Sequence, residues 1–288
     1  MENNYHVPVL LKECIEGLAI KPDGVYVDVT FGGGGHSREI LKHLNKDGVL
    51  IAFDQDPDAQ GNRIEDPRFH FVDQNFAFLK NNLRLLGNKA VDGILADLGV
   101  SSHLFNEPSR GFSTRFESNL DMRMDKARKL TAVEVLNTYG EDELHRIFGI
   151  YGEVKNAKSL AKAVVTGRMD QLIQTLADFK RVIANHIPKG KENKYMAQVF
   201  QALRIEVNAE IEVLEDFLKQ TADVLNTGGR LVVISYHSLE DRPVKNFLSK
   251  GKFRGDVEKD FFGNEQKPFR VITRKAIVAP EDELVRNS

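Results

Sequence analysis

The apolar positions of this chain change period at a few sharp places. Val25-Tyr-Val-Asp-Val-Thr30 alternates β-branched residues at Val25, Val27 and Val29, which predicts a buried strand. Phe31 and four consecutive glycines, Gly32 to Gly35, follow it directly. Ser37-Arg-Glu-Ile-Leu-Lys-His-Leu44 then continues at helical spacing, with Ser37 placed as the cap. Further strands are expected at Val49–Asp54, Phe69–Val72 and Val91–Asp97, and a fifth only at Leu231–Ser235. The long interval between is helical in pattern. Thr131-Ala-Val-Glu134 is a capping box. Leu172, Leu176, Phe179, Ile183 and Ile187 form one stripe, more suited to a core than to chemistry. Val207, Ile211, Leu214, Leu218 and Leu225 predict a long helix that Gly228-Gly229 would end. Strands alternating with helices imply an α/β fold with a Rossmann-like sheet. Residues 107–198 are read as an inserted all-α domain, and residues 1–106 and 199–288 as the two parts of a discontinuous sheet domain.

A tight strand-to-helix turn needs one or two glycines, and four in a row favour a loop whose backbone approaches a cofactor. The dinucleotide pattern Gly-x-Gly-x-x-Gly is not met, since Gly32 and Gly34 run on to Ser37, and Gly33 and Gly35 to Arg38. A phosphate loop would end in Gly-Lys-Ser/Thr, but Gly35 is followed by His36-Ser37. The stretch resembles the first motif of S-adenosylmethionine (SAM) methyltransferases, where a carboxylate, here Asp28, precedes a glycine-rich turn. Asp54 ends the second strand about 20 residues past the glycines, where ribose-binding acids sit in dinucleotide-type sheets. Phe76, after the third strand, is placed either to cover an adenine or to fill core. Asp97 ends the fourth strand. Ligands bind at the carboxyl ends of such strands, and Asp28, Asp54 and Asp97 all fall there.

Beyond Asp97 the chain carries an unusual set of motifs. They are Asp97-Leu-Gly-Val-Ser-Ser102, Arg110-Gly-Phe-Ser113, Leu120-Asp-Met-Arg-Met-Asp125 and Ser235-Tyr-His-Ser-Leu-Glu-Asp-Arg242. With His6-Val-Pro-Val-Leu-Leu11 and Phe200-Gln-Ala-Leu-Arg-Ile-Glu-Val-Asn208, the sequence resembles the RsmH (formerly MraW) family from end to end. The resemblance implies a SAM-dependent enzyme that methylates the exocyclic N4 amino group of a decoding-centre cytidine in 16S ribosomal RNA of the small subunit. It implies SAM contacts at Gly34, Gly35, His36, Asp54, Phe76 and Asp97. A further family contact is usually a glutamine just after the Ser-Ser pair; here the position is Leu104, which offers only packing. Members generally run on past the equivalent of Arg286-Asn-Ser288 into an arginine-rich stretch and a last strand, which this sequence does not include.

Composition narrows the class. At 288 residues there is room for one sizeable core and a second small domain. A single cysteine, Cys14, excludes a disulfide framework or a cysteine-based zinc site and fits a reducing compartment. No metal is expected. No apolar run approaches the roughly 20 residues that cross a bilayer, so a cytoplasmic protein without a membrane partner is expected. The net charge of −2 hides segregation along the chain. Residues 150–200 carry nine Lys/Arg against four acids, and residues 245–275 again nine against four. Local basic excess is what phosphate contact requires. The oligomeric state is left open between monomer and homodimer.

Methyl transfer from a sulfonium needs mainly alignment, because the methyl group is already activated. The cytosine amine is a poor nucleophile, and acceptors that draw its N–H groups out of the ring plane would free its lone pair. Asp97, Ser101 and Ser102 are the candidate acceptors, and His36 or His237 the candidate proton acceptor. The target base must leave its stack, so Phe112, Arg123, Tyr236 and Arg242 are candidate substrate-binding platforms. Two other classes stay open. One is a SAM enzyme for DNA or protein amines, although Asp97-Leu-Gly-Val lacks the paired prolines usual in amino-directed DNA enzymes. The other is a non-catalytic RNA-binding assembly factor, against which the intact glycine loop argues.

Overall fold

The computed structural model describes residues 8–280 and 283, with the Ser102 side chain outside the described set, as are His6 and Val7 of the N-terminal motif. The chain divides into two compact units, 1–99 with 211–288, and Val100–Glu210.

The first unit is built on five parallel strands, β1 (Val25–Asp28), β2 (Val49–Asp54), β3 (Phe69–Asp73), β4 (Val91–Asp97) and β5 (Leu225–Ile234), in the order β3-β2-β1-β4-β5. Order reverses at β1, so a crevice opens between the carboxyl ends of β1 and β4. Each strand buries both faces, which explains runs such as Val49–Phe53 that are apolar throughout. Tyr26, Leu50 and Leu95 point to a layer holding Cys14 and Leu18 of α1 (Leu11–Leu18) and Ile40 and Leu41 of α2 (Gly35–His43). Val27, Ile51, Phe53 and Ile94 point the other way. They meet Leu79 and Leu83 of α3 (Leu79–Leu85), then Phe217 and Leu218 of the later helix 210–224, and Phe247 of the helix 238–250. The result is a helix–sheet–helix sandwich.

The second unit is helical: α4 (Ser102–Asn106), α5 (Ala132–Thr138), α6 (Glu141–Ile150), α7 (Ala157–Asp170), α8 (Leu176–Ile183) and α9 (Glu192–Asn208). Its limits, 100–210, are wider than the expected 107–198. The capping box at Thr131 forms: its hydroxyl accepts from Glu134 N at 3.2 Å, and the Glu134 carboxylate accepts from Thr131 N at 2.8 Å. Helices α6, α7 and α9 bury Leu144, Ile147, Phe148, Leu160, Val199 and Leu203.

Three expectations are corrected. The stripe from Leu172 to Ile187 is helical only over α8, because Thr175 caps a new start with Asp178 and leaves Leu172 57% exposed. The long helix expected from Val207 is two: α9 ends at Asn208, Ala209 turns left-handed (φ 52°), and α10 (Glu210–Val224) begins. Gly228-Gly229 do not end that helix. They lie inside β5, where residues 226–229 bulge opposite Asp92, and Gly228 adopts φ 83°. The unit closes with α11 (Ser238–Lys250) and a hairpin of β6 (Glu258–Lys259) and β7 (Glu265–Gln266). Among the described residues no helix is long and apolar enough to cross a membrane.

Candidate active site

At the end of β1 the chain turns through glycines because nothing larger fits. Gly34 has φ 74°, and a Cβ there would come within 2.8 Å of the Phe31 ring. A Cβ on Gly35 would overlap the Pro8 ring. Helix α2 therefore starts at Gly35 with Gly34 as its N-cap, two residues earlier than expected. Ser37 is not the cap. It is buried, and its hydroxyl donates to Asp28 Oδ2 at 2.7 Å. Asp28 also accepts from Thr30 N at 3.1 Å and is only 1% exposed. Its carboxylate holds the loop from inside rather than facing a ligand. Arg38 donates to Gly33 O at 2.6 Å and Asn62 to Gly32 O at 2.9 Å, pinning the loop from outside.

Asp54 stands at the end of β2. One oxygen accepts from Gly32 N at 2.7 Å and the other from Asp56 N at 2.8 Å. A carboxylate offers about four acceptor sites, so two remain for a ligand's hydroxyl groups. Burial pushes its pKa up to about 6, against the pull of those two N–H donors. Phe76 lies just after β3, half-buried, with its ring edge-on to Phe217 at 5.2 Å. It is part of the core margin.

Asp97 ends β4, adjacent to β1 in the sheet. Thr30 ties the two strand ends together, its hydroxyl accepting from Asp97 N at 2.7 Å. Asp97 Oδ1 accepts from the Tyr236 hydroxyl at 2.8 Å, and Oδ2 lies 3.8 Å from His36 Nδ1. Burial raises the Asp97 pKa to about 6, with His36 and Tyr236 opposing and Asp28 and Glu240 adding to the rise. Burial, and then the Asp97 charge, hold the Tyr236 hydroxyl well above its ordinary pKa, so it stays a donor. Its ring covers Gly99, whose φ of 101° and missing side chain permit the approach. His36 is 6% exposed, and its Nε2 is 3.0 Å from Val9 O. A carbonyl only accepts, so Nε2 carries the hydrogen and Nδ1, toward Asp97, is the basic nitrogen of the neutral ring. Burial, with Asp97 and Asp28 nearby, pushes the Cys14 thiol up to about 12, which leaves it without thiolate character.

Glu240 is the residue that sequence reasoning missed. It is 3% exposed; one oxygen accepts from Tyr236 N at 3.0 Å and the other lies 3.2 Å from His237 Nε2. It fixes the turn that aims Tyr236 at Asp97. The signal was present, an acid three residues after the helix-start position His237. Thr30 and Arg38 were missed too, because neither carries a motif of its own.

The remaining candidates lie apart from this cluster. Arg242 is exposed in the first turn of α11. In the helical unit, Ser101 caps α4 by accepting from Leu104 N at 3.4 Å, and Leu104 is 3% exposed. Phe112 is buried at 4% exposure and so is packed rather than presented as a platform. Arg123 is engaged internally: Asp121 takes it as a bidentate pair at 2.7 and 2.8 Å, and the carbonyls of Lys126 and Arg128 accept from its remaining nitrogen. Around it, Asn208 accepts from Met124 N and donates to Met122 O, both at 2.8 Å. The Arg110 and Leu120–Asp125 motifs are thus used to build a loop. Ser102 falls outside the described side chains.

A parallel sheet of this order, with a glycine turn after β1 and acids ending β2 and β4, defines a Rossmann-like α/β domain built for a nucleoside-type cofactor. Over residues 3–288 the sequence matches the MraW methylase family, and the chain belongs to it. Ribosomal RNA small subunit methyltransferase H of Cytophaga hutchinsonii is 57% identical over 286 residues, covering 99% of this chain and 95% of that protein. The proteins of the same name from Parabacteroides distasonis and Christiangramia forsetii are 55% and 54% identical over 284 residues. They cover 98% and 99% of this chain, and 93% and 94% of their own lengths.

Proposed function

We propose that the protein transfers a methyl group from SAM to the exocyclic N4 amino group of a cytidine in 16S ribosomal RNA. The observation that carries this reading is the pair of buried, proton-hungry carboxylates, Asp54 and Asp97, beside a glycine turn with no lysine for a phosphate. Such a site calls for a ligand that is cationic, rich in hydroxyl groups and free of phosphate. SAM fits on all three counts. Asp54 has acceptor sites for two ribose hydroxyls, and the glycine loop offers backbone at close range. The relatives' name adds the substrate: small-subunit ribosomal RNA.

SAM supplies an electrophilic methyl group, and the chain's own residues handle the amine and its proton. Asp97 Oδ1 is occupied by Tyr236, so Oδ2 is the oxygen that accepts from the cytosine amino group. Tyr236 holds that carboxylate in register and shields one side of it from water. His36 Nδ1 stands 3.8 Å from the same oxygen and is placed to take the proton that the amine releases after attack. Protonation there replaces a lone pair facing an anion with an ion pair. His237, turned to Glu240, serves the turn and not the proton. The helical unit, with its basic stretch 150–200, is the part assigned to RNA shape, and the expected location is the cytoplasm.

The test is to map methylated cytidines by mass spectrometry in ribosomal RNA from cells with and without the protein. One cytidine losing its N4 methyl group, and regaining it with purified protein and SAM, is the expected result. An unchanged methylation map would overturn the assignment.

A further inference from the structure

We propose that the tip of the β6–β7 hairpin is an aromatic finger that stacks on unpaired bases of the RNA substrate, at a site separate from the methyl-transfer crevice. The proposal rests on RNA being the substrate. Phe261 is 98% exposed and Phe262 84%, an unusual presentation of apolar surface at adjacent positions. Their rings meet edge to face at 5.7 Å and 89°, so ring faces remain open to solvent.

The tip is built, not frayed. Asp260 N donates to Asn264 O, and Gly263 N to Asp260 O, each at 3.0 Å. The Asp260 carboxylate accepts from Phe262 N, Asn264 N and Asn264 Nδ2, all at 2.9 Å. Those donors hold its pKa below the usual range, so the clamp persists at neutral pH. Gly263 supplies the left-handed residue at φ 85°. The root of the hairpin is anchored as firmly. Phe253 stacks on Phe247 of α11 at 5.0 Å and 16°, Phe269 closes on the same ring at 6.1 Å, and Lys252 pairs with Glu258. A preorganised pair of rings loses little conformational freedom on binding.

The surroundings select the occupant. Glu258, Lys259, Asp260, Asn264 and Glu265 flank the pair, so the rings form an isolated spot and not the contiguous apolar patch of a protein-docking surface. Residues 245–275 carry nine basic against four acidic side chains, a net excess of five. At the root, Lys219, Lys252 and Arg254 line a cavity of about 420 Å³ with Phe253 and Gly251, where phosphates can be met. Ring faces within a basic field are the requirements for binding single-stranded nucleic acid, and neither depends on base sequence.

The chain has no tryptophan, so F262W introduces a single reporter at the tip. Two probes are used with the full-length protein: a labelled unpaired 12-mer RNA and a duplex RNA of equal length. The double variant F261A/F262A is expected to bind the unpaired RNA roughly tenfold or more weakly, the usual loss for one stacked base, and the duplex with unchanged affinity. The F262W emission is expected to be quenched by the unpaired RNA and not by inorganic polyphosphate. Equal binding of unpaired RNA by wild type and double variant overturns the finger while leaving the RNA substrate in place. Failure of the wild type to bind either RNA overturns the substrate reading itself. Loss of a wild-type dimer in the double variant, with RNA affinity unchanged, would make the tip a self-association surface and overturn the proposal.

Discussion

Replacing Asp54 with asparagine keeps the shape of the side chain and removes its charge, and the consequences for stability and for binding have opposite signs. The carboxylate accepts two backbone N–H groups, from Gly32 and Asp56. An amide has one oxygen, so one N–H loses its charged acceptor and faces an NH2, a cost of about 1.5–3 kcal/mol. Against this, the wild-type carboxylate titrates at about 6 where an unburied one titrates at 3.8, so its ionisation is opposed by about 3 kcal/mol at neutral pH. Removing the charge releases that amount, and the two terms roughly cancel. The Asp54→Asn variant without ligand should therefore lie within about 1.5 kcal/mol of wild type in stability. SAM binding has no such compensation, since charged acceptors for two hydroxyls are lost, worth together about 2–4 kcal/mol, or roughly 30- to 1,000-fold in affinity. Calorimetric titration with SAM and thermal melts with and without SAM measure both quantities on one sample. Affinity reduced by less than threefold would refute Asp54 as the ribose acceptor. A loss of stability beyond about 4 kcal/mol would refute the offset between burial and hydrogen bonding.

The Asp97→Asn variant should depress turnover far more than SAM affinity, because its contact with the amine strengthens on the way to the transition state; equal losses would demote it to cofactor binding. Asp54 and Asp97 both have pKa values raised to about 6 by burial, so the native state takes up protons that the unfolded chain does not between roughly pH 4 and 6. Their contribution to ligand-free stability should rise as pH falls through that window, and SAM affinity should fall through it. Melts and titrations from pH 5 to 8 check both slopes, and the stability slope should shrink in the Asp54→Asn variant. Lys189, Lys191 and Lys194 are exposed around Gly190, and changing all three to alanine should weaken ribosomal RNA binding with a shallower salt dependence. SAM affinity should not move, and an unchanged salt slope would make them a solvated loop.

What could be read without a structure was what short stretches of chain decide alone. The β1–glycine–α2 unit, the strands at Val49–Asp54 and Val91–Asp97, and the capping box at Thr131 depend on periodicity and on backbone freedom, which are local properties. Because side chains at a strand's carboxyl end face the crevice of any parallel sheet, Asp54 and Asp97 were legible as site residues from position alone. Tertiary structure decided the rest. Asp28 and Ser37 read as a ligand carboxylate and a helix cap, yet packing buried both and paired them with each other. A helix pattern spanning Val207 to Leu225 looked continuous because period says nothing of a single left-handed residue, and Ala209 breaks it. Tyr236 meets Asp97 across 139 positions of sequence, and Glu240 is what aims it there. The raised pKa values belong to this level as well, since desolvation is set by everything packed around a carboxylate and has no trace in its immediate neighbours. Local sequence determined which groups stand at the strand ends. Packing determined which of them remain available for chemistry.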